Sequence, residues 1–391
     1  MRRVRFITAA AAVLLTGCLG SGTAEREELP TAASVPLLIY PYSLPESSSE
    51  TMTPQEREYY PHADSYAYNM LTDTEKKLYD DIVYAAERLI SIAESGRSAS
   101  DEEWLRAYGC VYNQEPQLFY LSPKVSKGNI IYRETDPEVI RKMREETELR
   151  AESITDAAKG MSDREKLRCF HDRLIMSDDF DPFDEYSQTI YGGLVTGSVQ
   201  CEGYAKTMHY LCRRAGIPSM VVTGTNAEGE SHAWDIVMAG GEWYNLDCTW
   251  DDPVLSVNDP ENVRYNYFLV PDSWIHNISH FNVNRKTGGS DIFYFEPPKC
   301  SASEYNYFNT EGLVFSDIDS ADAAIREILR ETALSGKRAA QIKTSSRGVY
   351  DEIRNRLADY AIEIRQLCPD VSEVYDNCDS DLLIIEIDLN Y

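Results

Sequence analysis

The chain has 391 residues, enough for two or three domains and a sizeable core. Its 43% hydrophobic content and 26 tyrosines are those of a globular protein and exclude a mainly disordered one. A net charge of −27 excludes a nucleic-acid binder, because phosphate contacts need clustered Lys and Arg.

Arg2, Arg3 and Arg5 precede an apolar run over residues 6–15. That run is too short to span a bilayer as a helix and has the length of a secretory signal core. It ends in Leu15-Thr16-Gly17-Cys18, which resembles the bacterial lipoprotein signal. The resemblance implies removal of residues 1–17, a lipid on Cys18 and an extracytoplasmic, membrane-anchored protein. No other stretch of the sequence is apolar and long enough for a transmembrane helix. Residues 18–58, rich in Ser, Thr, Glu and Pro, read as the lipid-anchored linker.

Residues 59–161 read as a mainly helical region. Thr72 and Glu75 form a capping box. It opens a helix with Leu78, Tyr79, Ile82, Val83, Ala86, Leu89 and Ile90 on one face, closed by Gly96. A short helix is expected over 101–108, strand-like pieces over 117–121 and 129–133, and a long helix over 137–159. Gly160 breaks the pattern, and Ser162 with Glu165 makes a second capping box. A new domain is placed here, over residues 162–285. Its first helix turns Leu167, Phe170, Leu174 and Ile175 inward.

Cys201 opens the next helix, expected over 201–215. Gly216-Ile217-Pro218 stops it, and Arg213 and Arg214 lie in the last turn, where positive charge is favoured. Tyr204, Ala205, Met208, Leu211, Cys212 and Ala215 form its apolar stripe. Beyond about residue 282 the chain turns polar and Gly-rich. Residues 286–391 read as a small α/β module: helix 321–332, strand 340–344, helix 348–357 and strand 382–389. There is no internal repeat.

The nine cysteines show no small-domain disulfide spacing and no CxxC pair that would mark a structural zinc site. Without Cys18 eight remain, so a complete set of disulfides and a free nucleophile cannot coexist. Cys201 and Cys212 are separated by roughly 16 Å along their helix, too far for a disulfide. Cys212 lies in the apolar stripe and reads as core. Cys201 lies at the helix start, which favours the thiolate, the reactive form.

A thiolate needs a base. His209 is roughly 12 Å along the same helix and on another face, so it cannot serve. Two strand-like runs, "SHAWDIVM" and "EWYNLDCTW", are joined by Ala239-Gly240-Gly241. A two-residue turn at Gly240-Gly241 pairs Ala239 with Glu242 and makes His232 and Asp247 diagonal neighbours on one face. A three-residue loop would put Asp247 on the wrong face. In the two-residue register, Cys201 is the candidate nucleophile, His232 the base and Asp247 its orienting carboxylate. Backbone N–H groups at the helix start are candidate oxyanion donors.

The order Cys, His, Asp resembles the transglutaminase-like superfamily of papain-like thiol enzymes. The segments "YGGLVTGSVQCEGYAKTMHYLCRRAGIPSMVVTG", "HAWDIVMAGGEWYNLDCTWDDP", "YNYFLV" and, upstream, "CFHDRLI" look like its bacterial branch. "NQEPQLFYL" resembles, less specifically, the region that precedes its core. The resemblance carries the three roles onto Cys201, His232 and Asp247. Relatives commonly have Asn after "HAW", whereas this chain has Asp235, which alternation turns away from the His232 face.

The resemblance implies an α+β fold: a papain-like transglutaminase-like core between an N-terminal helical region and a C-terminal α/β module. It also implies acyl transfer on amides of proteins or peptides through a thioester, with no cofactor and no metal. Hydrolysis by a cell-surface peptidase or amidase, acting for instance on cell-wall peptide, is the first expectation. A protein-crosslinking transglutaminase and a non-catalytic surface binding protein with an unused triad are the alternatives. Gln200 and Tyr191 are candidate side-chain oxyanion donors. His171-Asp172, the His276/His280 pair and Asp251-Asp252-Pro253 have metal-site features but read as structural. Trp234, Trp243, Tyr244 and Trp250 fit core and substrate groove equally.

Overall fold

The computed structural model describes residues 65–226, 229–252, 263–275, 281–282 and 296–391. Cys18, the 1–17 signal, the 18–58 linker, Pro253, His276 and His280 lie outside them. The architecture is α+β.

Helices α1 (Asp73–Glu87), α2 (Asp101–Gln114) and α4 (Asp163–Ser177) each begin with a complete capping box, at Thr72, Ser100 and Ser162. In each, the cap side chain accepts from the fourth residue's N–H and a Glu reaches back, so two orphan donors are satisfied. Asp136 caps α3 (Pro137–Ala157), whose first residue is proline. Helix α2 runs past the expected end at 108, because Ala107 to Gln114 are all buried against the core. The expected strands at 117–121 and 129–133 do not form. Pro116–Leu118 is a single 3-10 turn, and the two segments pair through an isolated Leu121–Tyr132 bridge rather than a ladder. Their aromatics pack on α1 instead: the hydroxyls of Tyr120 and Tyr132 donate to Ala86 and Ala85 carbonyls at 3.2 Å.

The short strands β1 (Asp179–Phe180) and β2 (Ser198–Val199) pair in parallel just before α5 (Cys201–Arg214). Strands β3 (Ser219–Thr225), β4 (Ser231–Ala239), β5 (Glu242–Leu246) and β6 (Phe281–Asn282) form an antiparallel sheet in the order β5-β4-β3-β6. Helix α5 packs on β3 and β4 with one side and meets α2, α3 and α4 with the others. It is therefore buried all round: every residue from Gly203 to Cys212 is buried, not only the apolar stripe. One hydrophobic core runs through these helices and the sheet.

A second core belongs to α6 (Ile318–Ser335), α7 (Arg347–Arg354), α8 (Leu357–Leu367) and a sheet ordered β7-β8-β10-β9. Its strands are β7 (Val314–Phe315), β8 (Ala339–Thr344), β9 (Glu373–Asp376) and β10 (Ile384–Asn390). The sequence reading lacks β7, α8 and β9. Helix α8 buries only Tyr360 and Ile364, and β9 has no fully buried residue, so neither carries a strong periodic signal.

Glycine at position 203 has a specific cause. A Cβ there would lie 2.1 Å from the Ser187 carbonyl oxygen, a backbone atom that cannot swing away. The loop 186–198 is thus pressed onto the first turn of α5. Gly203→Ala is expected to lose about 1–3 kcal/mol of stability, the usual range for overpacking, read as a lower urea midpoint.

Candidate active site

Cys201 is the first residue of α5. Its N-cap, Gln200, is extended and makes no side-chain cap, unlike the caps of α1, α2 and α4. Gln200 is tied instead to Ser187, by its N–H to the carbonyl at 3.0 Å and its amide to the hydroxyl at 2.9 Å. The Cys201 side chain is half-buried against Ala205 of α5, Val221 of β3 and Ala233 of β4.

The hairpin that follows has a two-residue turn. Gly240 (φ 59°) and Gly241 (φ 86°) both lie in the left-handed region, and Ala239 pairs with Glu242. Only glycine enters that region without strain, and two such residues give the turn whose twist matches the strands. The ladder runs to Asp235–Leu246. Asp247 is not the next strand residue. It is the N-cap of a one-turn helix, Cys248–Asp251, and its Oδ1 accepts from the N–H groups of Thr249 (2.9 Å) and Trp250 (3.3 Å). Its Oδ2 bonds His232 Nε2 at 2.6 Å.

Both partners are buried, His232 at 7% and Asp247 at 1% exposure. Burial disfavours the charged imidazole. The Asp247 charge and hydrogen bond, then the hydrogen bond and charge of Cys201, outweigh it and raise the His232 pKa to about 10. Since Nε2 is taken by Asp247, Nδ1 is the nitrogen left to face the thiol. The rings of Trp234 and Trp250 lie 6.0 and 5.8 Å from the imidazole. Trp234 is fixed through its Nε1–H to Asn245 at 3.1 Å, and Asn245 in turn donates to Asp272 at 3.0 Å. A half-buried thiol at a helix start without a side-chain cap thus stands beside an imidazole that one carboxylate oxygen and two indoles orient.

Residues 150–248, which include all three of these side chains, match the transglutaminase-like superfamily. The chain carries a transglutaminase-like domain. Over 91 residues it is 33% identical to human (Homo sapiens) kyphoscoliosis peptidase, covering 20% of this chain and 14% of that protein. The Mus musculus protein of the same name is 32% identical over the same length and with the same coverage. The chain thus spans about one seventh of the length of the curated relatives it matches. Among solved structures, one described as a TGase is 21% identical, with 32% of this chain and 35% of that chain covered and a TM-score of 0.26.

Other residues of the transglutaminase-like domain that drew attention in the sequence have structural partners. His209 is buried between Ser219 and the Gln114 carbonyl; burial first, then Arg213, lower its pKa to about 3 and keep it neutral. His171 bridges Asp172 (3.0 Å) and Asp251 (3.1 Å) under Tyr265 and Phe268. Asp252 accepts from the Tyr204 hydroxyl at 2.5 Å. Tyr191 donates to Glu146 at 2.9 Å, so its hydroxyl, like the Gln200 amide, is already engaged. All eight cysteines after Cys18 are free thiols, and among the described residues no group of three or more His, Cys, Asp or Glu side chains could hold a metal.

Sequence reasoning missed two features. The strand-like pattern of "DCTW" gives way to a helix, since an Asp before a short polar-aromatic run is a helix-cap signal. The second is Lys206, buried one turn along from Glu202, which it meets at 2.7 Å while lying 3.3 Å over the Tyr112 ring. Two residues of one helix sign the ion pair by their i, i+4 spacing, but the ring comes from α2, which no local pattern announces.

His171 gives a pH-dependent prediction. Burial lowers its proton affinity, but Asp172 and Asp251 outweigh it and raise the pKa from 6.5 to about 9. A raised histidine pKa contributes stability that is full below about 6.5 and lost as the pH rises through about 9. The urea-unfolding free energies of wild type and His171→Gln should therefore converge by roughly 3 kcal/mol between pH 6 and pH 10.

Proposed function

We propose that the transglutaminase-like domain is a cysteine enzyme that cleaves amide bonds of proteins or peptides. Cys201 acts as nucleophile, His232 as proton carrier and Asp247 as the carboxylate that orients it. The observation that carries this reading is the buried 2.6 Å His232–Asp247 hydrogen bond, with the Cys201 thiol among the groups that raise the proton affinity of the same ring.

The chemistry follows from the protonated ring. Cys201 Sγ bonds the amide carbon while its former proton rests on His232. The C–N bond then breaks, and His232 gives that proton to the departing amine, leaving a thioester. Water next bonds the acyl carbon, His232 takes a proton from it, and the C–S bond breaks to release the acid and restore the thiol. Developing negative charge on the carbonyl oxygen faces the uncapped start of α5, where N–H groups and the helix dipole favour it. Trp234 and Trp250 shield the imidazole from water, which strengthens its bond to Asp247.

An amine in place of water would make the same thioester a crosslinking intermediate. Hydrolysis is favoured by the curated relatives, which are named peptidases. The Leu15–Cys18 motif supports attachment to a membrane through lipid on Cys18, with peptides of the cell envelope as substrates. Among the described residues no helix is long and apolar enough to cross a membrane.

Iodoacetamide should alkylate Cys201 at pH 6, and His232→Ala should slow this by about 100-fold or more, the usual scale of a lost proton-transfer partner. Equal rates in the two proteins would overturn the triad. Cys201→Ala should abolish release of products from cell-wall peptides and proteins. Running the same reactions with a labelled primary amine separates the acceptors: label found in product in place of free acid would mean transfer. Cys18→Ala should move the full chain from the membrane to the soluble fraction.

A further inference from the structure

Several buried carboxyl groups of this fold have a cationic partner. Asp247 has His232, Asp251 has His171, Glu115 has Arg213 and Glu386 has Arg264. Asp235 has no such cation among the described residues. It stands in the middle of β4, opposite Val221 of β3 and Leu246 of β5, and is 1% exposed. Its Oδ1 has no hydrogen-bond partner among the described residues.

Strand alternation puts Asp235 on the Ala233 face, the face that packs on α5, and so on the opposite face from His232. The titratable groups around it are Asp247 at the end of β5, Cys212 on α5 and Cys248 in the one-turn helix. None of them is positive. Burial pushes both thiols well above the ordinary range, so they are neutral. A carboxylate here would be an unpaired charge in an apolar layer, within the electrostatic reach of Asp247, and a buried group in that position neutralises instead.

We propose that Asp235 is a positioning residue held as a neutral carboxylic acid, so that Asp247 is the only anion acting on His232 from within the sheet. Burial first and the Asp247 charge second both raise its pKa well above the carboxylate range, in agreement. The effect on the site is electrostatic and runs through Asp247. An ionised Asp235 would tighten the hold of His232 on its proton and oppose its transfer to a leaving amine. The protonation of Asp235 does not depend on the proposed activity; only its consequence for His232 rests on that reading.

The test uses the full chain labelled with 13C at the aspartate side-chain carboxyls. At pH 8 Asp251, raised to about 6, is ionised. A protonated aspartic-acid carbonyl stretch should remain in the infrared spectrum at that pH and disappear in Asp235→Asn. The His232 ring, titrated by NMR, should keep its proton affinity within about twofold in Asp235→Asn, because a neutral acid has been exchanged for a neutral amide. Loss of a real charge would lower that affinity about tenfold. A tenfold drop, or a protonated signal unchanged by the substitution, would overturn the proposal. Should Asp235→Asn not fold, the wild-type spectrum decides, since absence of any protonated aspartate at pH 8 overturns it equally. If His232→Ala left Cys201 alkylation intact, the triad would fail while the infrared result stood.

Discussion

The register of one hairpin governs the site. Gly240 and Gly241 turn the chain in two residues, and everything along β4 and β5 is counted from that turn. One extra loop residue would shift the register by one and turn Asp247 to the other face, leaving a buried imidazole without its carboxylate. The cost of such a slip is large because the pair is buried: His232 and Asp247 share a hydrogen bond of 2.6 Å in surroundings nearly closed to water. Asp247 is held a second time, as the cap of the helix Cys248–Asp251. The same residue therefore follows a strand, caps a helix and orients an imidazole. Its two oxygens divide the work, Oδ1 on backbone N–H groups and Oδ2 on the ring.

Helix α5 brings the thiol to that pair. It is an unusual helix for its sequence, since Lys206, Thr207 and His209 are buried beside the apolar residues. The core takes in Lys206 and His209 because Lys206 has Glu202 and Tyr112, and His209 has Ser219 and the Gln114 carbonyl. Buried polar groups with partners of this kind hold a helix in one position and rotation, where a purely apolar surface would tolerate several. Gln114 extends the effect to the sheet. Its amide exchanges two hydrogen bonds with the Val221 backbone, donating at 2.7 Å and accepting at 3.2 Å. The N-terminal helices thus fix both the helix that starts at Cys201 and the strand beside Ala233.

The C-terminal sheet reaches the site through residues 263–270. Arg264 bonds Glu386 at 2.5 Å and Asp388 at 3.4 Å on β10, while its backbone N–H meets the Asp251 carbonyl at 3.3 Å. Tyr267 accepts from the Asp247 N–H at 3.2 Å, and its own N–H donates to the Asp251 side chain at 2.9 Å. Asp247 is therefore braced from the hairpin, from its own helix and from a segment tied to β10. A carboxylate held from three directions loses little further freedom when the ring it orients changes charge, which is the condition for preorganised electrostatics.

Local patterns in the sequence were sufficient for the capping boxes at Thr72 and Ser162, the span of α5 and the place of Cys201 at its start. Each of these depends on residues within a turn or two of one another. The His232–Asp247 pairing was legible one step further out, because a two-residue glycine turn makes the register countable. The strands expected at 117–121 and 129–133 failed because their aromatics found partners on α1, more than thirty positions earlier in the chain. The cap role of Asp247, the indoles around His232, the ring over Lys206 and the isolation of Asp235 were likewise decided only in the folded chain. Burial and the identity of a partner across the core are properties of the packed whole. No local spacing encodes them, and they set the charge that each of these groups carries.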